Sequence, residues 1–179
     1  MPLKDLLFGF KGRIRRRDWW LWGIGVGLAW AVATTAVGGA LFGMSWTTSL
    51  LGGSGYPVGW PITAYGLVTY APLLWVQSAL AAKRTHDRNK GAGVAVVLTI
   101  LAGLLSFVIE IADLTLGAVL TDDQFGLLYG SVTFATLGVQ LYLLVVLGFL
   151  DGTRGPNRFG RSPKGVGGDM PDQTAKVFS

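Results

Sequence analysis

The chain has 179 residues, of which 51% are apolar and 14% charged, whereas soluble domains carry roughly 25% charged residues. This composition argues against a soluble domain, and the absence of cysteine excludes a disulfide scaffold, a thiolate metal site and a cysteine enzyme. The net charge is +5, from 15 basic and 10 acidic residues, so its meaning depends on where the charges lie.

The first ten residues show helical periodicity. Apolar residues recur at positions i, i+3, i+4 and i+7, namely Leu3, Leu6, Leu7 and Phe10. This spacing places them on one face of a helix. We predict a short N-terminal amphipathic helix that lies in the headgroup region of a membrane.

Long uncharged runs occupy most of the remaining chain. No Asp, Glu, Lys, Arg or His occurs within residues 19–82, 91–109 or 124–150. A membrane-spanning helix needs about 20 apolar residues, so the first run is long enough for two spans and a glycine-rich link. A cleaved signal peptide has an apolar region of only about 7 to 15 residues, so we expect the first span to be a retained anchor.

The predicted fold is therefore an all-α polytopic membrane protein, a bundle of four transmembrane helices. The spans are predicted at about 19–42, 62–82, 92–112 and 125–150. Residues 1–164 are predicted to form a single membrane domain. Residues 165–179 are polar, rich in glycine and aperiodic, and are predicted to be a disordered tail.

The basic residues all lie on one side of these spans. Six precede the first span, four lie between the second and third, and five follow the fourth. The other two links contain no base, and the second of them contains four acids: Glu110, Asp113, Asp122 and Asp123. By the positive-inside rule both termini are cytoplasmic. Because topology explains the positive charge, no nucleic-acid partner is expected.

Three polar motifs fall on the predicted cytoplasmic side. They are GRIRRRDWW at 12–20, KRTHDRNK at 83–90, where it joins the second and third spans as a loop, and GPNRFGRSP at 155–163. In this order the motifs resemble the DUF805 family of small bacterial inner-membrane proteins, whose function is unassigned. The resemblance extends from about Phe10 to Pro163 and implies an inner-membrane location.

The residues that match the family pattern are Gly12, Arg13, Arg16, Trp20, Lys83, Arg84, His86, Asp87, Gly155, Asn157, Arg158, Phe159, Gly160 and Pro163. The chain departs from the pattern after His86-Asp87, where the family usually continues Gly-Arg-Ser-Gly-Trp. Here the sequence is Arg-Asn-Lys-Gly-Ala-Gly, without the tryptophan. A function that needs an aromatic residue at this edge is therefore in question, and the chain is a candidate for a divergent subgroup.

Catalysis is not indicated by these motifs. His86 is the only histidine, and a catalytic metal site needs about three protein ligands. No serine stands in a pattern with a base and an orienting residue. We therefore predict no enzymatic activity, no metal and no cofactor.

Seven polar residues form the candidate site: Arg13, Arg16, Arg84, His86, Asp87, Asn157 and Arg158. One interpretation is structural, with Asp87 accepting hydrogen bonds from arginines such as Arg13 or Arg158 and tying the loop to the tail. The other is recognition of an anion, with Arg13, Arg84 and Arg158 converging on a lipid phosphate. Bases near a membrane surface attract anionic headgroups by about 1 kcal/mol each.

The predicted function is that of a non-enzymatic membrane protein whose basic cytoplasmic face binds anionic lipid headgroups or a protein partner. The alternative is a small-solute transporter or channel that acts as a homo-oligomer, with its copies packed through helix faces rich in glycine and alanine. No ionisable residue lies at the centre of a span, which disfavours a proton-coupled mechanism. Gln77 and Gln140, in mid-span, are expected to form interhelical hydrogen bonds.

Overall fold

The protein is described here by a computed structural model that covers residues 2–43 and 59–165. Within these two ranges the chain is helical and contains no β-strand. The elements are α1 (Leu3–Phe8), α2 (Arg16–Phe42), α3 (Trp60–Asp87), α4 (Gly93–Leu116), α5 (Asp122–Leu143) and a π-helical turn, Leu144–Phe149, that continues α5. The predicted disordered tail, after its first residue, and most of the first link lie outside the described residues.

Three of these helices are long and apolar enough to cross a membrane. They are Arg16–Phe42, Gly93–Leu116 and α5 with its π-helical turn, Asp122–Phe149. The prediction of a helical membrane protein is therefore confirmed. Helix α3 has 28 residues, enough to span, but it does not reach the same apolarity, so the fourth span stays a prediction.

The second motif does not form the predicted loop. Helix α3 extends to Asp87, so Lys83, Arg84 and His86 lie in its last turns. The helix continues because these polar side chains bind backbone carbonyls of other segments instead of turning out to water. Only residues 88–92 connect α3 to α4.

Helix α1 is shorter than the predicted apolar stripe and ends before Phe10. Leu6 and Leu7 pack against a buried cluster of Ile14, Val76 and Leu80, so part of the stripe faces the protein. Polar contacts join α1 to α3: Lys83 Nζ donates to the carbonyls of Leu6 (2.8 Å) and Gly9, and Trp75 Nε1 donates to that of Phe8 (3.1 Å). The headgroup location of α1 stays a prediction.

The most buried part of the protein is the end of α3 that carries the second motif. Nearly every residue from Ser78 to Asp87 is buried, and Lys83 and Arg84 are both 0% exposed. Helix α3 packs on α1, α2 and α4, α4 packs on α5, and the π-helical turn packs on α2 and α3. By contrast, α5 contains no buried residue. The bundle is therefore tightest where the three motifs meet.

Candidate anion-binding site

Asp87 is the centre of a buried ion-pair network. Its Oδ1 accepts hydrogen bonds from Arg13 Nε (3.1 Å) and Nη2 (2.9 Å), and its Oδ2 accepts one from Arg84 Nη1 (2.5 Å). The side chains of both arginines are 1% exposed and that of Asp87 is 5% exposed. One carboxylate thus compensates two guanidinium groups, which leaves a formal charge of +1 that neutral acceptors must solvate.

Arg13 uses the rest of its donors to bind the segment after α5. Its Nη1 donates to the carbonyls of Gly155 (2.9 Å) and Gly160 (3.1 Å), and its Nη2 donates to the carbonyl and hydroxyl of Thr153 (2.9 and 3.0 Å). Every nitrogen of this guanidinium therefore has an acceptor. A single residue of the first motif joins the second motif, through Asp87, to the third.

The π-helical turn and Leu150, which follows it, supply the other neutral acceptors. Backbone carbonyls at the end of a helix lack partners within the helix and carry partial negative charge. Five consecutive carbonyls accept from side chains at the start of α2 and the end of α3: Val146 from Arg88 (3.2 Å), Leu147 from Arg84 (2.8 Å), Gly148 from Trp20 (3.1 Å), Phe149 from Arg16 (3.0 Å) and Leu150 from Arg84. The arginines of the first two motifs thus cap the last helix.

Gly152 and Thr153 seat the chain against the end of α3. The backbone N–H and the hydroxyl of Thr153 both donate to the Asp87 carbonyl, at 2.8 and 3.0 Å. A Cβ atom at Gly152 would overlap the Asp87 carboxylate. The segment approaches Asp87 so closely that only glycine fits at position 152.

His86 lies beside the network and is held by the third motif. Its ring stacks on Phe159, with centroids 4.0 Å apart and planes 13° apart, and its Nδ1 is 3.2 Å from the Gly12 carbonyl. The side-chain amide of Asn157 donates to the His86 carbonyl at 2.9 Å. Burial lowers the pKa of His86 below 6.5, against the effect of the Gly12 hydrogen bond, and the charges of Arg158 and Lys83 lower it further. The neutral ring with a proton on Nδ1 fits this environment.

The seven predicted site residues occupy four different places. Arg13, Arg84 and Asp87 meet in the buried network, and His86 and Asn157 contact each other beside it. Arg16 lies at the edge, with Nη1 3.4 Å from the Asp151 carboxylate. The guanidinium of Arg158 lies instead over the Phe159 ring, with its central carbon 4.7 Å from the ring centre.

A basic pocket of about 280 Å³ opens next to the network. We use the term basic pocket for the space lined by Arg15, Arg16, Arg17, Arg84, Asp87, Asp151, Gly152 and Lys164. Five bases and two acids give its lining a formal charge of +3. Arg15, Arg17 and Lys164 are not among the seven residues predicted from the motifs. Arg15 and Arg17 could have been found within the first motif, but nothing in the sequence marks Gly152, Thr153 or Lys164.

Comparison with known proteins agrees with the motif assignment. The family model described as "Protein of unknown function (DUF805)" matches residues 7–161, which confirms the resemblance predicted from the three motifs. Two curated relatives, each named "Uncharacterized protein YiiR", come from Escherichia coli strains K12 and O157:H7. Each is 28% identical over 170 residues, which cover 93% of this chain and 93% of the relative. No solved structure matches the chain.

Proposed function

The chain belongs to the DUF805 family, whose function is unknown, and we propose that it is a non-enzymatic inner-membrane protein that binds the headgroups of anionic lipids in its basic pocket. The observation that carries this proposal is the +3 formal charge around a space of about 280 Å³. Guanidinium and ammonium groups bind phosphate oxygens through charge-assisted hydrogen bonds.

The bases that can contact a ligand are those outside the buried network. Arg13 and Arg84 are inaccessible and bound to Asp87 and to carbonyls. Arg15 lines the pocket, and its Nε donates to the Pro163 carbonyl (2.5 Å). Arg17 is 76% exposed and only 3.7 Å from its neighbour Asp18, and Lys164 is exposed. Arg16 also lines the pocket, but its Nη1 donates to the Phe149 carbonyl (3.0 Å) and lies 3.4 Å from the Asp151 carboxylate. We therefore assign ligand binding to Arg15, Arg17 and Lys164, and a structural role to Arg13, Arg16 and Arg84.

The position of the pocket favours a lipid as the ligand. The pocket adjoins the first turn of α2, and Trp19 and Trp20 follow directly, at the end of this turn and the start of the next. Tryptophan is enriched at the membrane–water interface, so this turn would lie at the level of the headgroups. The N-terminal end of α2 adds partial positive charge at the same place.

The proposal includes four spans, α2 to α5, with both termini in the cytoplasm. In its support, contacts of Arg13 with Asp87 and Gly155 bring all three basic motifs to one end of the helices. The acidic residues Asp122 and Asp123 lie at the opposite end, in the first turn of α5, which Thr121 caps. Reporter fusions at Ser54 and Thr121 are expected to report the outer side, and a cytoplasmic signal at either position would refute this topology.

The contacts of His86 and Asp87 support a function without catalysis. The Asp87 carboxylate accepts from two guanidinium groups, and the His86 ring is stacked on Phe159 with Nδ1 at a carbonyl. Neither side chain is placed to exchange a proton with a substrate. A structural role accounts for both.

Lipid binding is tested best by removing the accessible bases. The triple variant Arg15→Ala/Arg17→Ala/Lys164→Ala is titrated in detergent with short-chain phosphatidylglycerol and, separately, phosphatidylcholine. At about 1 kcal/mol for each base, the Kd for phosphatidylglycerol is expected to rise by roughly 100-fold. The matched control changes three exposed bases that do not line the pocket, Lys11, Lys90 and Arg154, to alanine.

The control variant is expected to bind within a few-fold of the wild type. If both triple variants lost the same affinity for phosphatidylglycerol, the general surface charge would explain binding, and a specific pocket would be refuted. Equal binding of the zwitterionic lipid by the wild type would refute headgroup recognition. Circular dichroism of each variant shows whether the helices are intact.

A second candidate function, transport of a small solute by a homo-oligomer, is favoured by one observation. Gln140 lines both a cavity of about 610 Å³ between α4 and α5 and a cavity of about 330 Å³ at the centre of the bundle. Open space beside Gly126 and Gly130 of α5 leaves room for a helix of another copy. Flux of ions or metabolites into liposomes that is lost in Gln140→Leu, but kept in Ser131→Ala on the same helix, would support transport. Absence of flux in the wild type would refute it.

A further inference from the structure

The cavity between α4 and α5 lies away from the cytoplasmic motifs and carries a charge of the opposite sign. Its volume of about 610 Å³ is in the range of small-molecule sites, roughly 300–1,000 Å³. Its walls are mainly apolar, and the polar groups on them are those of Ser106, Glu110, Asp113, Tyr129, Thr133, Thr136 and Gln140. The lining includes two carboxylates and no base.

Glu110 is the less exposed of the two carboxylates that line this cavity. It is half-buried, and its Oε1 accepts a hydrogen bond of 2.5 Å from the hydroxyl of Thr63, which is 1% exposed on α3. Thr63 thereby fixes the position of the carboxylate. None of the ion pairs among residues 2–43 and 59–165 includes Glu110, and no Lys or Arg occurs in the sequence between residues 91 and 153.

A carboxylate without a cationic partner is costly within a membrane helix, and such residues usually mark a ligand or ion pathway. Glu110 lies in the last two turns of α4, so a ligand can reach it from the outer end or from the lipid. A positive ligand would compensate its charge where the protein supplies no base.

The opposite wall indicates which kind of cation fits. Phe125 and Tyr129 lie one helical turn apart on α5 and both line the cavity. Aromatic rings attract organic ammonium groups, which lose less hydration than a metal ion on entry. Below them, Leu105, Val132 and Leu137 form an apolar wall for a hydrocarbon group.

We propose that the α4–α5 cavity binds an amphipathic organic cation, with its charged group at Glu110 and its apolar part along α5. This site is independent of the basic pocket, which lies at the other end of the helices and selects the opposite charge. Because the site requires a positive charge, its ligand is distinct from the acyl chain of a bulk lipid.

The test uses the full chain in nanodiscs of phosphatidylcholine, with radiolabelled tetraphenylphosphonium as the probe. The wild type is expected to bind the probe saturably, and Glu110→Gln to weaken binding by 10-fold or more. Asp123→Asn, which removes an acid from the same end but outside the cavity lining, is expected to leave the Kd unchanged. Phe125→Leu is expected to weaken binding by roughly 2- to 5-fold.

Two results would overturn the proposal. One is equal binding by Glu110→Gln and Asp123→Asn, which would mean that the probe partitions into lipid. The other is equal competition by uncharged triphenylphosphine, which would show an apolar cavity without selection for charge. If Glu110→Gln does not fold, Leu137→Trp serves as the second variant, because it fills the cavity without touching the Thr63–Glu110 hydrogen bond. Binding that survives this substitution would equally refute the site.

Discussion

Replacing Asp87 with asparagine should destabilise the protein far more than loss of another carboxylate at the same end. The substitution keeps the shape of the side chain but removes the negative charge between Arg13 and Arg84. In the native protein Arg84 Nη1 lies 2.5 Å from Asp87 Oδ2. If the amide oxygen of the asparagine takes the place of Oδ1 at Arg13, its NH₂ group faces Arg84 Nη1, and two hydrogen-bond donors oppose each other. If the amide is reversed, the same conflict occurs at Arg13.

The magnitude follows from burial. All three side chains are at most 5% exposed, so water cannot replace the lost charge. Removing one partner of such a buried pair costs about 3–5 kcal/mol, because the remaining charge is buried without compensation. The control is Asp151→Asn. The Asp151 side chain is 76% exposed, and its carboxylate lies 3.4 Å from Arg16. An exposed pair of this kind contributes at most about 1 kcal/mol.

The assay is equilibrium unfolding in mixed micelles with increasing sodium dodecyl sulfate, followed by circular dichroism and tryptophan fluorescence. The free energy of unfolding of Asp87→Asn is expected to lie well below that of Asp151→Asn. A difference between the two variants of less than about 1 kcal/mol would refute the inference that Asp87 holds the three motifs together. The double variant Arg13→Gln/Asp87→Asn should lose less stability than the sum of the single changes, since their effects are coupled.

Two further predictions concern the same end of the bundle. Gly152→Ala should destabilise the protein by about 1–3 kcal/mol, because the added Cβ would overlap the Asp87 carboxylate. Gly155→Ala is the control and should change stability little, because the space around Gly155 is open. Equal losses of stability in thermal unfolding would contradict the close approach of Gly152 to Asp87. His86, beyond the predicted span 62–82, has a lowered pKa, so stability should fall as pH decreases from 6.5 toward the folded-state pKa and then level off. Because His86 is the only histidine, His86→Gln should remove this dependence in unfolding at pH 7.5 and 5.5, and a pH profile that the variant shares would refute the assignment.

Several features of the fold could be predicted from local sequence. Uncharged runs predict apolar helices because a backbone in lipid must satisfy its hydrogen bonds within the segment. Three such helices are present, with ends within a few residues of the predicted ones. The end of α3 was harder to predict, because Lys83 and Arg84 are typical of a solvated loop. Their burial depends on carbonyls of α1 and of the π-helical turn, which no pattern near residue 83 reveals.

The candidate site could be predicted in composition but not in arrangement. The motifs predict Arg13, Arg84 and Asp87 as site residues, but they do not show whether the arginines bind a carboxylate or a phosphate. In the structure both arginines bind Asp87, although Arg13 is 74 residues away from it in sequence. Arg15 and Arg17, which we assign to the ligand, lie in the same short stretch as the buried Arg13 and as Arg16, which pairs with Asp151. Composition alone cannot distinguish them.

By itself, the sequence determined that this is a helical membrane protein of the DUF805 family, because hydropathy, charge and motif order are properties of segments read along the chain. Only the tertiary structure decided which cations are buried and which face a pocket. That choice depends on the rotation of α2 and α3 and on the carbonyls of Val146, Leu147, Phe149 and Leu150, in and just after the π-helical turn, which accept from arginines. A buried guanidinium must find acceptors wherever packing places them, and packing joins residues that are distant in sequence.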